Sequence, residues 1–376
     1  MFATVLCSEM HASAAGLTSP EPLTKAYELI LDARFDDAHR QLQQACPPAP
    51  RPACEVLDAV ADYWQILLDQ ENTSRDGRLI GKIDASIAST ESWVAREPKR
   101  AEAWFYNGGA YGTRVLLRGL REEYLAAARD GKRIHDSLRH AVTLDPMLTD
   151  AYFGLGLYHY YAAIAPAAAR VLRFLLLLPA GDRAGGLKEM EQTRTQGMLL
   201  RGEADYQLHL IYLWYERQAM RSLGLVEGLR NRYPHNPVFY TRLATVQGDY
   251  LKNHQGALQT YRSLFDAARA GRAASPAISE VNARLGMAQE MAALCDTEQA
   301  IDQLRTVIAQ RPGAPYAAVA RAYYQLGVVL DRIGRRSEAM TAYESARIAN
   351  PPDDRLDLNA KVRALSKRPP ITRACK

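Results

Sequence analysis

The chain has 376 residues, of which 48% are apolar and 24% are charged. This composition is that of a folded globular protein and excludes a disordered one, and the length allows two ordinary domains or one long solenoid. The net charge of +5 is a small excess over so long a chain, and it does not by itself indicate a nucleic-acid partner.

Residues 1–21 form a leader of small and polar residues without helical periodicity. The apolar run from Phe2 to Leu6, followed by Ala-Ser-Ala-Ala-Gly, has some features of a signal peptide and its cleavage site. The run is shorter than the apolar region of such peptides, however, and no Lys or Arg precedes it. We therefore favour a disordered or remnant leader, and a functional signal peptide stays open.

Residues 22–202 have the apolar periodicity of paired helices, several of them longer than usual. In the segment 101–146, Trp104 and Tyr111 belong to the first helix, and Leu138 and Pro146 belong to the end of the second. Roughly 14 residues more than a short helix pair needs lie between these positions, which corresponds to about two extra turns in each helix. The pairs are expected at 23–46, 55–98, 101–146 and 149–197.

Cys46 and Cys54 bracket the Pro-rich connection CPPAPRPAC between the first two pairs. Two cysteines across so short a connection could form a disulfide, which would imply an oxidising compartment. The alternative is that each is buried singly at a helix end. Localisation is therefore open between exported or periplasmic and cytoplasmic, with this cysteine pair favouring export.

The stretch 160–178 is the most apolar in the chain, and its length is close to that of a membrane span. Arg170 and Arg173 lie within it and would be costly at a bilayer centre, and Pro166 breaks its first third. A long buried helix is the interpretation that we favour. An interfacial helix that touches a membrane is the alternative.

Residues 203–352 predict a regular array of helix pairs, and residues 353–376 predict a capping helix with a disordered tail. The last pair, 320–351, has the most distinctive spacing. Its first helix carries an aromatic residue, two leucines and Gly327, and its second helix carries Ala339, Tyr343 and Ala346.

This spacing resembles the tetratricopeptide repeat (TPR), a helix–turn–helix unit of about 34 residues. The resemblance extends from about Leu23 to Pro351. It implies an all-α fold, a right-handed α-solenoid of about eight helix pairs with oversized pairs in the N-terminal half. It also implies binding of peptides or proteins, usually without catalysis. The Lys, Asn and Arg positions of the carboxylate-clamp variant are mostly aromatic, aliphatic or Gly here, which disfavours that ligand class.

A narrower resemblance covers roughly residues 100–200. An apolar helix that ends in Leu-Leu-Pro, followed by Gly-Asp-Arg and Gly-Leu, is similar to the fungal inclusion-body clearance protein and its animal TPR relatives. This similarity implies a shared architecture, and those relatives are linked to protein aggregates and lipid droplets. The residues that carry it are Leu177, Leu178, Pro179, Gly181, Asp182, Arg183, Gly186 and Leu187.

The sequence contains no HExxH, no GxSxG, no Walker-type Gly-rich loop and no paired CxxC. We therefore predict no enzyme, no cofactor and no metal site. Gly154 and Gly156 lie within a predicted helix, where close packing explains them better than nucleotide binding does. Asp182, followed by Gly185 and Gly186, could open a phosphate site, but a helix cap is the interpretation that we favour.

An aromatic stripe in the middle of the chain is the predicted binding site for a protein or peptide. In TPR arrays the first helix of each pair lines the concave face, and an apolar patch there is a typical interaction site. The alternative is that oversized helices fill the groove and make these residues core. The stripe comprises Phe105, Phe153, Leu157, Tyr160, Tyr161, Tyr206 and Trp214.

Arg114, Arg118 and Arg121 share one face of a predicted helix and form a candidate site for an anionic partner. The alternative is a solvated face paired with Glu122 and Glu123. The leading hypothesis is a non-catalytic scaffold that binds a protein segment, and the alternative is a solenoid that binds lipid or membrane surfaces through 160–178 and these arginines. Nucleic acid is a poor fit, and the sequence does not indicate an oligomeric state.

Overall fold

The computed structural model describes residues 16–165 and 180–368, and within these ranges all regular structure is helical. The predicted all-α class is therefore confirmed, whereas most of the apolar stretch 160–178 lies outside the described residues. The helices before residue 166 are α1 (Pro20–Leu31), α2 (Phe35–Ala45), α3 (Arg51–Ile66), α4 (Asp76–Arg96), α5 (Ala101–Leu120), α6 (Tyr124–Leu144) and α7 (Ala151–Ile164).

Residues 180–368 continue the helical array, and α17 lies in the segment after residue 352 where a capping helix is predicted. The helices are α8 (Arg183–Gln196), α9 (Arg201–Trp214), α10 (Ala219–Arg232), α11 (Pro237–Thr245), α12 (His254–Arg269), α13 (Pro276–Ala293), α14 (Thr297–Gln310), α15 (Ala318–Arg332), α16 (Arg336–Ala349) and α17 (Leu358–Lys367). A π-helical turn, Val246–Tyr250, extends α11.

Helix length differs between two helix pairs of the array. The paired helices α5 and α6 have 20 and 21 residues, and the paired helices α15 and α16 have 15 and 14. The longer helices account for the extra residues counted between 101 and 146, so the oversized pair is confirmed.

The chain folds into two compact units, and each unit is composed of three separate segments of the chain. The N-terminal unit contains the residues up to Tyr27, His39–Val60 and Ile80–Ala204. The C-terminal unit contains Glu28–Ala38, Ala61–Leu79 and the residues from Asp205 onward. The domain boundary expected between residues 202 and 203 stays a prediction.

Glycines allow close helix packing in the N-terminal unit. A Cβ at Gly154 would lie 2.4 Å from a methyl carbon of Leu138, and one at Gly156 would lie 2.7 Å from the carbonyl oxygen of Gly186. Real Cβ atoms do not approach this closely, so a side chain at position 154 would displace the Leu138 methyl group, and one at position 156 would push α7 away from the backbone of α8. The packing interpretation of Gly154 and Gly156 holds.

The segment before α8 is a helix cap, as favoured from the sequence. The Asp182 carboxylate accepts a hydrogen bond from the Gly185 backbone N–H at 2.9 Å, in the geometry of an N-cap residue. A side-chain oxygen that satisfies one of the otherwise unpaired N–H groups at a helix start accounts for Asp182 and Gly185 without a bound phosphate.

The last helix pair has the packing that its spacing predicts. Ala339, Tyr343 and Ala346 are almost fully buried on α16. A Cβ at Gly327 on α15 would lie 2.4 Å from the Tyr343 ring, so the absence of a side chain at Gly327 makes room for the tyrosine. The Tyr343 hydroxyl donates to buried Asp331 at 2.9 Å, which satisfies the polar end of a ring in an apolar core.

Candidate functional site

A cavity of about 300 Å³ lies in the C-terminal unit, in the face formed by the first helices of successive pairs. Three of these helices, α11, α13 and α15, contribute to it, and the segment Leu67–Glu71 borders it. Its volume is at the small end of the range for ligand pockets. The polar and charged side chains that line it are Asp69, Gln70, Glu71, Thr241, Arg242, Thr245, Tyr261, Asn282, Gln289, Tyr316, Arg321 and Gln325.

Trp64 anchors the segment that borders the cavity. It is 1% exposed, and its ring centroid lies 4.9 Å from that of Tyr206 on α9 and 5.7 Å from that of Phe239 on α11. Aromatic pairs at these distances and tilts are favourable beyond the area that they bury. Leu67–Glu71 follows within a few residues, so Trp64 sets where its polar side chains reach the cavity.

A second contact holds the segment on its other side. The Asp69 carboxylate accepts a hydrogen bond from the Tyr316 backbone N–H at 2.8 Å. These residues are 247 positions apart in the sequence. The cavity is therefore built from two distant parts of the chain, and its acidic side depends on this long-range contact.

Arg321 on α15 supplies a cationic group to the cavity. Its only hydrogen bond within the described part of the chain is a long one, 3.4 Å from Nη1 to Asn282 Oδ1, and no carboxylate there lies within 4.0 Å of it. Burial lowers the pKa of the Arg321 guanidinium from its ordinary value, whereas Tyr261, Asp69 and Glu71 oppose this change electrostatically. The guanidinium is thus charged, partly buried and poorly hydrogen-bonded.

An unpaired amide oxygen lies one helical turn beyond Arg321. Gln325 Oε1 is buried and has no hydrogen-bond partner among the described residues. Since positions i and i+4 of a helix lie on the same face, Arg321 and Gln325 both line the cavity from α15. A buried polar group without a partner is costly, and a ligand or an ordered water is the usual remedy.

The predicted aromatic stripe divides into buried and exposed residues. Phe105, Tyr160 and Tyr206 are buried at 5%, 0% and 4% exposure. Tyr161 and Trp214 are exposed at 38% and 46%. Phe153 and Leu157 are intermediate between these classes. Only Phe153, Leu157, Tyr161 and Trp214 therefore present surface to a partner. The ring of Tyr206 packs against Trp64 instead.

Two of the three candidate anion-binding arginines are engaged within the N-terminal unit. Arg114 forms two hydrogen bonds to the Asp130 carboxylate, both at 2.8 Å, and Arg118 also donates to Asp130. Asp130 is 5% exposed, so it is a buried anion compensated by two cations. Arg118 also lies 3.8 Å from Glu123, one of the two glutamates expected to pair with this face, and Arg121 is partly exposed.

Cys46 and Cys54 are joined in a disulfide, one of the two arrangements that the sequence left open. No group of three or more His, Cys, Asp or Glu side chains in the described ranges could hold a metal ion. Across those same residues, no helix is both long and apolar enough to cross a membrane.

The cavity was not predicted from the sequence. The sequence predicted the binding site in the middle of the chain, although Arg321 and Gln325 stand at the i and i+4 positions of the first helix of the last pair. This pair of polar residues on one helix face was the available signal. The acidic side could not have been found in the same way, because Asp69 belongs to a segment far away in the sequence.

No known protein-family profile matches the chain, and no curated protein matches it. Solved structures do. A chain of the APC/C hetero-tetramer Cut9-Hcn1 is 13% identical with a TM-score of 0.50, and the match covers 91% of this chain and 55% of that one. The human IFIT1 dimer with PPP-AAAA is 12% identical with a TM-score of 0.46, and the match covers 93% of this chain and 86% of that one.

Yeast Tom70 is likewise 12% identical with a TM-score of 0.41, and the match covers 92% of this chain and 81% of that one. The match to the Cut9-Hcn1 chain covers only about half of the length of that chain. These neighbours are TPR proteins, and the likeness at such low identity concerns the fold. The resemblance to the inclusion-body clearance protein stays a prediction. The fold of this chain is a TPR-like helical solenoid.

Proposed function

We propose that the protein is a non-catalytic scaffold that binds a protein or peptide segment. The observation that carries this proposal is a stripe of incompletely buried apolar residues on α7, a first helix of the TPR-like fold. Phe153, Leu157 and Tyr161 follow one another at intervals of four residues and therefore lie on one helix face. The similarity to a chain of the hetero-tetramer Cut9-Hcn1 is compatible with this role.

The stripe has a rigid base. Tyr160 is fully buried, and its ring makes an edge-on contact with that of Tyr161 at 5.5 Å between centroids. An exposed aromatic ring held by a buried one loses little entropy on binding, which favours its use as an anchor for a partner. Of the seven stripe residues, we therefore assign partner contact to Phe153, Leu157 and Tyr161.

No observation on the described residues favours the lipid-binding alternative over the scaffold. Arg114 and Arg118 are held by the buried Asp130 carboxylate, so their charge is largely compensated inside the unit. Most of the apolar stretch 160–178 lies outside the described residues and adds no support.

The experiment compares Phe153→Ala/Tyr161→Ala with Tyr124→Ala in affinity capture followed by mass spectrometry. Tyr124 is 66% exposed and belongs to the same unit, but it lies on α6 and not on the stripe, so it is a matched control. A protein captured by the wild type and by Tyr124→Ala should be lost with the double variant. Titration of the purified partner should then show the same order of affinities.

The double variant should keep wild-type helicity and melting temperature, because it truncates residues that are not part of the core. Tyr160→Ala should instead lower the melting temperature, since it removes a fully buried ring. Equal capture by the wild type and the double variant would refute the assignment of the stripe. A collapse of stability in the double variant would show that the stripe is core.

A further inference from the structure

The cavity in the C-terminal unit separates charged groups that do not neutralise each other. Arg321 interacts electrostatically with Asp69 and Glu71, yet no ion pair within 4.0 Å joins it to either. Asp69 has no cation within 4.0 Å in the described residues, and Glu71 has only Arg355, at 3.7 Å. A cation and an anion therefore border the same cavity without contact.

The donors and acceptors around the cavity also have unused capacity. Arg321 carries five N–H donors and makes one long hydrogen bond. Gln325 Oε1 is buried without a partner. A carboxylate placed beside Arg321 would accept charge-assisted hydrogen bonds from the guanidinium, whereas Gln325 Oε1 on the same helix face would accept a hydrogen bond from an N–H group.

The acidic side offers the complementary chemistry. One Asp69 oxygen accepts from the Tyr316 backbone N–H, and the other accepts only a long hydrogen bond of 3.4 Å from Asn72. An ammonium group has three donors and would find an acceptor in this second oxygen. Because the lining balances two arginines against two carboxylates, it favours a ligand with one charge of each sign over a polyanion such as a nucleotide.

The remaining lining is apolar and limits the size of the ligand. Leu67, Val238, Leu285 and Leu356 contribute to the walls. A volume of about 300 Å³ corresponds to about ten water molecules, which suits a small organic molecule and is too little for a folded segment of a partner.

We infer that this cavity is a binding site for a free α-amino acid with an apolar side chain. The α-carboxylate lies against Arg321 and the α-ammonium against Asp69, while the side chain packs on the leucines and Val238. This site is independent of the α7 stripe, because it lies in the other unit and uses none of the stripe residues.

The first experiment screens the twenty proteinogenic L-amino acids singly for an increase in melting temperature, and measures the best by isothermal titration calorimetry. At least one amino acid with an apolar side chain should bind. If leucine is that ligand, isopentylamine, which lacks the carboxylate, and 4-methylpentanoate, which lacks the ammonium group, should each bind at least about tenfold more weakly, because each leaves one charged group of the site without its partner.

Variants test the two assigned contacts. Arg321→Gln and Asp69→Asn should each weaken binding at least about tenfold. The asparagine keeps an acceptor for the Tyr316 amide, so the segment should stay in place. Arg305→Gln is the matched control, because Arg305 is exposed on α14 and does not line the cavity, and it should leave the affinity unchanged.

The analogue series uses wild-type protein, so its result does not depend on whether the variants fold. Circular dichroism and the melting temperature of each variant show whether it is folded. The inference is overturned if none of the twenty amino acids binds, which would leave a water-filled cavity. It is also overturned if a deaminated or decarboxylated analogue binds as tightly as its parent, or if folded Arg321→Gln binds like the wild type.

Discussion

Two close helix contacts, one in each unit, depend on glycine in different ways. In the N-terminal unit a Cβ at Gly156 would meet the backbone oxygen of Gly186 at 2.7 Å, so backbone lies against backbone. In the C-terminal unit a Cβ at Gly327 would meet the ring of Tyr343 at 2.4 Å, so backbone lies against a side chain. A ring can turn, whereas two helix backbones can only move apart. The irregular half of the chain therefore has the less adaptable contact.

The two units also differ in how they compensate a buried carboxylate. Asp130 in the N-terminal unit is shared by Arg114 and Arg118. In the C-terminal unit, Asp331 pairs with Arg336 at 2.6 Å and accepts from the Tyr343 hydroxyl. Each carboxylate is almost fully buried, but loss of the first leaves two arginines with only longer contacts to exposed carboxylates, Asp84 and Glu123, and loss of the second affects one arginine.

The largest expected effect comes from removing the charge of each buried aspartate, which tests this comparison directly. Asp130→Asn should lower the free energy of unfolding by about 4 kcal/mol, and Asp331→Asn by about 3 kcal/mol, because the first substitution removes the buried carboxylate that holds two arginines and the second removes one that holds a single arginine. Urea denaturation measures both. Glu344→Gln, which removes an exposed partner of Arg347, should cause no measurable change. Equal losses for the two aspartates would show that the number of arginines bound by the buried carboxylate does not decide the loss of stability.

The next prediction concerns the glycines. Gly156→Ala should destabilise by about 2–3 kcal/mol and Gly327→Ala by about 1–2 kcal/mol, because the Tyr343 ring can adjust and the Gly186 carbonyl cannot. Thermal melting checks the order.

The matched controls for these variants are Gly112→Ala in the N-terminal unit and Gly228→Ala in the C-terminal unit. Both glycines lie inside helices with no atom within 4 Å of an added Cβ. Each should be stabilising by about 0.5–1 kcal/mol, since alanine is the better helix former. A stable Gly156→Ala protein would refute the close backbone contact.

The third prediction concerns a difference in acid sensitivity, and its size depends on the pH. Burial lowers the pKa of His209, in the C-terminal unit, from 6.5 to about 3. Between these values the unfolded chain binds a proton that the folded chain does not, so stability is fully present above pH 6.5 and falls as the pH falls. The loss is about 1.4 kcal/mol per pH unit, or about 2 kcal/mol at pH 5.

His135, in the N-terminal unit, provides the contrast. Burial lowers its pKa as well, but a hydrogen bond with Asp136 opposes this. Urea denaturation at pH 7 and pH 5 should show that His209→Leu removes more of the pH dependence than His135→Leu does. The same pH dependence in the wild type and in His209→Leu would show that His209 accepts a proton in the folded state.

Local contacts explain what could be predicted. Gly327, Ala339, Tyr343 and Ala346 lie within one helix pair, so their spacing along the chain already determines which faces meet. The same holds for the cap at Asp182, which needs only the next three residues. Helix class, pairing and the extra length of α5 and α6 followed from such short-range patterns.

Burial within the predicted stripe was not determined locally. Tyr160 and Tyr161 are neighbours on α7, yet one is fully buried and the other is 38% exposed. Part of the reason lies in α8, where a Cβ at Gly186 would approach the backbone nitrogen of Tyr160 to 2.7 Å. An aromatic cluster in the sequence shows only that apolar area is present, and the neighbouring helix decides which rings stay accessible.

The sequence by itself determined a helical TPR-like array, because a helix pair buries its faces through contacts only a few turns apart. Only the tertiary structure placed Trp64 between Tyr206 and Phe239 and brought Asp69 to the Tyr316 amide. These contacts join segments more than a hundred residues apart, and no periodicity encodes them. The cavity exists only where such distant segments meet.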